Sequence, residues 1–225
     1  MSICRRVATL QLLEKAAGCA GQDCLLCGAA SRDALVCEPC EMRLPHCATD
    51  CGEHLRAAHA FDAAEAVFDY RFPVDRLIHR FKFAGDLAVG RWLAQQLARR
   101  VATLRAPDLL VAPPLTAARL RARGFNQALE VAKVVGREVG ARVDIAGLAK
   151  IRETIPQPAL GGRARRRNLR GAFACRLAFS GEHVAIVDDV LTTGATADAL
   201  ARVLKAAGAG RVSVWAVARA PAPRR

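Results

Sequence analysis

The stretch that decides the fold is VAIVDDVLTTGAT, Val184 to Thr196. Val184 to Val187 are apolar or small and β-favouring, so the segment reads as a buried strand. It ends on two adjacent carboxylates, Asp188 and Asp189, and then turns through Thr192, Thr193, Gly194, Ala195 and Thr196, a loop with hydroxyls, a glycine and no charge. In an open parallel sheet, ligands sit beyond the carboxyl ends of the strands. A turn feeding a helix exposes N–H groups without helical partners at the positive end of the helix dipole. That is a phosphate site, and Gly194 lets the backbone approach the ligand. Two acids so close to a phosphate suit the 2- and 3-hydroxyls of a ribose whose 5-phosphate sits in the loop, with Mg²⁺ nearby to balance charge. Neither GxxxxGK[ST] nor GxGxxG occurs in the chain.

Outward from this stretch the chain alternates strand and helix. LLVA (109–112) is a short apolar run. FNQALEVAKVVGREVG reads as a helix with Gly140 at its C-terminal cap, and ARVDIAGLAKI reads as one strand. Residues 195–207 read as a helix and RVSVWAVAR as a closing strand. Upstream, AAEAVFDYRF (63–72) reads as a strand. VDRLIHRFKF and residues 87–103 read as helices, with Leu77, Ile78 and Phe81 at helical spacing. The class expected is α/β: a parallel sheet with helices on its faces and a small N-terminal module. The division expected is a helix and metal module over 1–60 and the main domain over 61–225.

The 225 residues carry a net charge of +13, and only 5 of the 34 basic residues are lysine. Arginine forks bind phosphate in a bidentate way, so phosphorylated ligands and nucleic acid both fit this balance. No apolar run reaches the roughly 18 residues of a membrane span, and the N-terminus lacks a clean signal sequence. A cytoplasmic protein is expected.

Eight of the 9 cysteines precede residue 52. Cys24-Leu-Leu-Cys27, nine residues and Cys37-Glu-Pro-Cys40 form two CxxC knuckles, the pattern of a closed, tetrahedral, structural Zn²⁺ site. Cys47 and Cys51 are spaced CxxxC, followed by His54 and His59. Either these make a second site or a second ribbon has decayed, and the broken spacing favours decay. Cys4 and Cys19 read as plain thiols, and His79 as packing beside Phe81.

VAIVDDVLTTGAT is similar to the PRPP-binding signature of type I phosphoribosyltransferases, where PRPP is phosphoribosyl pyrophosphate. LIHRFKFAGD, VAPPL, RARGFNQALEVA, TIPQPAL and RARRRNLRGAF follow one another in the order of the ComF family of competence proteins, over residues 24–219. The resemblance implies a type I phosphoribosyltransferase fold with an N-terminal zinc ribbon, linked to DNA uptake or use of its products. It implies that Pro113 to Thr116, with Pro114, Leu115 and Thr116, form the loop facing the pyrophosphate, where a cis peptide is common. One or more of Arg119, Arg121 and Arg123 would reach the diphosphate. Asn126 and Gln127 read as residues that cap the next helix or hold the loop, with capping favoured for Asn126. The loop 152–170, with Gln157, the Gly161-Gly162 hinge and an arginine cluster beginning at Arg163, would close over PRPP. Asp188, Asp189, Arg119 and Arg163 are therefore the candidate catalytic residues. The acceptor implied is a nucleobase, with a dimer left open. The competing reading is a non-enzymatic accessory protein that binds PRPP or single-stranded DNA and docks on the competence machinery; the arginine cluster is its electrostatic signature.

Overall fold

The computed structural model describes residues 22–31, 34–47, 59–152, 169 and 171–220. The chain divides after Leu44 into two compact units.

Among the described residues of the first unit, Glu38–Met42 form a short helix, α1, with Pro39 at its start. The second unit runs in chain order through β1 (Ala63–Asp69), α2 (Val74–Ala84), α3 (Leu87–Val101), β2 (Leu109–Val111), α4 (Ala117–Arg123), α5 (Gln127–Val139) and β3 (Arg142–Asp144). It continues through β4 (Leu148–Lys150), β5 (Phe173–Cys175), β6 (His183–Leu191), α6 (Ala195–Ala206) and β7 (Arg211–Arg219). Residues 45–47, placed with the N-terminal module on sequence, belong to this unit: Cys47 N–H donates to the Val67 carbonyl at 2.8 Å and Asp69 N–H to that of Pro45 at 2.7 Å.

Five strands form one sheet in the order β1-β7-β6-β2-β3, and every pairing is parallel. Strand residues alternate between faces. Val184 and Ile186 join the core under α6, whereas Ala185 and Val187 point to the other side and are equally buried. Burial on both faces explains the continuous apolar run that marked β6 in the sequence.

The order places the site. From β6 the chain crosses through α6 to β7 on one side, and from β2 it crosses through α4 and α5 to β3 on the other. β2 and β6 are hydrogen-bonded neighbours, so the crevice between their carboxyl ends is the point where the winding reverses, the usual ligand site of such sheets.

The helices end where their residues dictate. Asn126 accepts from Leu129 N–H to start α5, and Gly140, at φ 70°, closes it. Asp86 does the same for α3 by accepting from Val89 N–H. One expectation is corrected. ARVDIAGLAKI is not one strand: β3 joins the main sheet, while β4 pairs antiparallel with β5. The Asp144 carboxylate accepts from Gly147 N–H at 2.6 Å, which folds the chain back between them.

Candidate functional site

β6 outruns its neighbour. Val111, the last residue of β2, pairs with Ile186, so Asp188 and Asp189 project past the end of β2. Consecutive residues point to opposite faces. Asp189 is 9% exposed and meets Lys82 of α2, whose Nζ lies 2.9 Å from its Oδ1. Asp188 accepts from the Asp189 N–H at 2.8 Å. Burial, with the Asp189 charge beside it, pushes the Asp188 carboxyl up to about 8, although Lys82 works against the rise.

The loop follows directly. Thr192 is exposed and Thr193 half-buried; Gly194, at φ 71°, is the N-cap of α6. Asp198 N–H donates to the Gly194 carbonyl at 2.7 Å, closing the first turn. The N–H groups of Ala195, Thr196 and Ala197 then leave the start of a 12-residue helix without intrahelical acceptors. Oriented amides, threonine hydroxyls and the helix dipole can hold a phosphate dianion without a cationic side chain.

At the adjacent strand end, Pro113 to Thr116 form the other wall. Asn126 Nδ2 donates to the Pro113 carbonyl at 3.0 Å while its Oδ1 caps α5, so Asn126 both caps and holds the loop. Thr116 caps α4 by accepting from Arg119 N–H. This loop contains no cis peptide; among the described residues the cis bond is Phe72–Pro73. The three arginines do not act alike. On a helix Arg119 and Arg123 share a face, four residues apart, and Arg121 points away. Arg121 is exposed, and Arg123 is held over the Phe83 ring at 5.6 Å with its Nη1 donating to Gln127 Oε1 at 3.1 Å. Phe81 packs against Phe125, so LIHRFKFAGD and RARGFNQ meet ring to ring. His79 packs on Phe83, one helical turn on, and not beside Phe81.

Asp188, Asp189 and Thr192–Thr196 therefore lie at the carboxyl end of β6, and Pro114, Leu115, Thr116 and Arg119 follow the carboxyl end of its neighbour β2. Arg163, Gln157, Gly161 and Gly162 lie outside the described residues, as do Cys4, Cys19, Cys51 and His54. Lys82 and His59 are additions. Lys82 follows Ile78 by four positions, so a charge falls on the buried stripe of α2, a signal the sequence offered. His59, grouped on sequence with a second metal cluster, touches the turn before α6 instead: its Nε2 lies 3.0 Å from the Thr193 carbonyl oxygen.

In the first unit, the Cys24, Cys27, Cys37 and Cys40 sulfurs all lie within 4.8 Å of one another. Cys27 Sγ to Cys37 Sγ is 3.8 Å. A tetrahedron with metal–sulfur bonds of about 2.3 Å has edges of about 3.8 Å, so the four thiols fit one zinc ion. Burial would raise the Cys24 thiol, but donation from Cys37, Cys27 and Leu26 N–H brings it down to about 6. Its neighbours Cys37 and Cys27 hold Cys40 up at about 12. Four thiolates this close require a dication, and the cluster could hold a structural zinc. Cys47 is not part of it; it is buried and disulfide-bonded.

Against known proteins, the chain is 34% identical over 203 residues to the DNA utilization protein YhgH of Escherichia coli K12, covering 87% of this chain and 89% of the relative. It is 32% identical over 197 residues to competence protein F of Haemophilus influenzae, covering 82% and 84%. The chain belongs to the ComF family. No family model matches it. Among solved structures, the allosteric regulatory enzyme of purine biosynthesis aligns over 57% of this chain and 25% of that one, at 20% identity and a TM-score of 0.39. The protein TT1426 from Thermus thermophilus aligns over 60% and 85%, at 19% identity and a TM-score of 0.35. The five-stranded parallel sheet and four-thiol cluster of this ComF chain are the architecture that the phosphoribosyltransferase resemblance implies. Among the described residues no helix is long and apolar enough to cross a membrane.

Proposed function

We propose that this ComF-family chain binds PRPP with Mg²⁺ and transfers its phosphoribosyl group to a nitrogen acceptor, a nucleobase, in the cytoplasm, in the handling of DNA or its products. The observation that carries the reading is the convergence at the carboxyl end of two central strands: an acid pair and an amide-lined loop on β6, with a second loop at the neighbouring end of β2. That set of groups suits one ligand with a phosphate, a diol and a diphosphate.

In this reading the amides of the 194–196 turn hold the 5-phosphate. Asp188 and Asp189 accept from the ribose 2- and 3-hydroxyls, with Lys82 fixing Asp189. Pro114, Leu115 and Thr116 face the pyrophosphate, joined by Arg119 and by Arg163. Mg²⁺, when bound, would offset the diphosphate charge. The C1–O bond to pyrophosphate breaks, a C1–N bond to the base forms, and the base nitrogen gives up its proton. The carboxylates favour the cationic, oxocarbenium-like sugar over the ground state, so catalysis is positioning and electrostatics. The four-thiol cluster holds a structural zinc in a separate N-terminal module.

The second reading keeps the binding and drops the chemistry, leaving an accessory protein for PRPP or single-stranded DNA. The names of the relatives, DNA utilization and competence, favour it equally. A nucleobase panel with PRPP and Mg²⁺, read as pyrophosphate release, separates the two. We expect release with at least one base, and loss of measurable PRPP binding in the Asp188→Asn, Asp189→Asn double variant by calorimetry. Unchanged PRPP affinity in that variant would sink the site assignment.

A further inference from the structure

Residues 59–62 form a strap across α6 and the start of β7. Ala60 N–H donates to Asp198 Oδ1 at 2.6 Å. Phe61 is buried and stacks on His59, with ring centroids 5.0 Å apart. Asp62 exchanges two hydrogen bonds with Val212 and pairs with Lys205 at 2.6 Å. The strap thus delivers the His59 ring to a fixed place. There its Nε2 lies 3.0 Å from the Thr193 carbonyl oxygen. A carbonyl can only accept, so Nε2 carries the hydrogen. The ring also covers Gly194: a Cβ built on that residue would lie 3.0 Å from Nε2. Gly194 is therefore required twice, by its positive φ and by the imidazole over it.

Peptide planarity turns this contact into a functional one. The Thr193 carbonyl and the Gly194 N–H belong to one planar trans unit and point in opposite directions. A donor that fixes the carbonyl fixes the amide. Turn amides of this kind are otherwise free to rotate between two peptide orientations, and only one presents the N–H to an anion.

We propose that His59 is a positioning residue of the phosphate loop, donating to the Thr193 carbonyl so that the Gly194 N–H faces the 5-phosphate. It rests on the PRPP reading above and adds to it a residue from a segment with no phosphate-binding motif. His59 does not touch the ligand; it acts through the peptide plane.

The test uses the full chain, ribose 5-phosphate and Mg²⁺–pyrophosphate as separate calorimetric probes, and two variants. His59→Ala should weaken ribose 5-phosphate and PRPP about fivefold, the size of one lost hydrogen bond, and leave pyrophosphate unchanged. His59→Gln places an amide N–H near the former Nε2 and should restore ribose 5-phosphate binding. Equal weakening of both probes, or unchanged ribose 5-phosphate binding in His59→Ala, overturns the inference. Wild-type protein that binds no PRPP overturns the underlying reading instead. Should His59→Ala not fold, the Gly194 amide resonance of the wild type decides: it should shift on addition of ribose 5-phosphate, and an unmoved resonance in protein that binds PRPP overturns the inference alone.

Discussion

Asp188 is a carboxylic acid whose contribution to stability depends on pH. Its folded value of about 8 stands above the 3.8 of a free aspartate, raised by burial and by the Asp189 charge. A raised value means that folding takes up a proton. The stabilising contribution is complete below the unfolded value, erodes as pH rises, and is lost once pH passes the folded value. Asparagine cannot ionise, so Asp188→Asn should remove this dependence. We expect nearly equal thermal midpoints for variant and wild type at pH 4, and a variant midpoint clearly above the wild type's at pH 9, by more than the roughly 2–4 °C that about 1 kcal/mol produces in a chain of this size. A wild-type midpoint as high as the variant's at pH 9 would mean that Lys82 neutralises the pair completely. The same residues show what the sequence could reveal. Asp188 and Asp189 follow an unbroken apolar run, so their place near the carboxyl end of a strand was legible from their neighbours, but β6 does not end on them: it stays paired with β7 through Leu191. Lys82 reaches them from 107 positions upstream. His59 comes from farther still and was grouped with the cysteines beside it. Contacts of that range leave no local pattern.

Elements were legible where one period or one cap dominated. β6 and β7 showed as apolar runs because both sheet faces are covered, and α5 showed between Asn126 and Gly140 because each caps an end. ARVDIAGLAKI failed because a single side-chain hydrogen bond, Asp144 to Gly147, cuts a run of β-favouring residues into two strands of different sheets. The metal knuckles were the most legible element, since CxxC spacing sets ligand geometry directly. Here Gly28, at φ 71°, follows Cys27, and its N–H donates to the Cys24 carbonyl at 2.8 Å; Cys37 N–H donates to Cys24 Sγ at 3.3 Å. Among the described residues of this unit the buried apolar side chains are Cys24, Val36 and Leu44, so an ion held by the four thiols would carry much of its folding. Purified protein should therefore carry about one zinc equivalent from a four-thiolate site, and Cys24→Ser should release it. The variant should also lose protease resistance around residues 22–44 while β6 and α6 stay protected. Elemental analysis that finds no zinc in the wild type would refute the module.

At the scale of the whole molecule the charge of +13 has two uses to choose between. A lid closing over PRPP needs a few arginines at one place. A nucleic-acid surface needs many, and its affinity follows the number of phosphates neutralised. The cluster Arg163, Arg165, Arg166 and Arg167 lies outside the described residues, so the choice rests on sequence: a Gly161-Gly162 pair before it, Gln157 nearby, and no aromatic within the cluster for base stacking. These features suit a lid. Replacing all four with alanine should then weaken PRPP binding or turnover and leave affinity for a single-stranded oligonucleotide nearly constant. A DNA surface demands the opposite. Each lost phosphate contact would reduce the slope of log affinity against log salt by about 0.7 for single strands, so the four-fold variant would flatten it by about 3. Calorimetry with PRPP and salt-titrated binding to the oligonucleotide measure both responses on one pair of proteins. A variant that binds PRPP normally while its salt slope collapses would move the cluster from the active site to the DNA-handling surface. It would also make the accessory role the better account of this ComF chain.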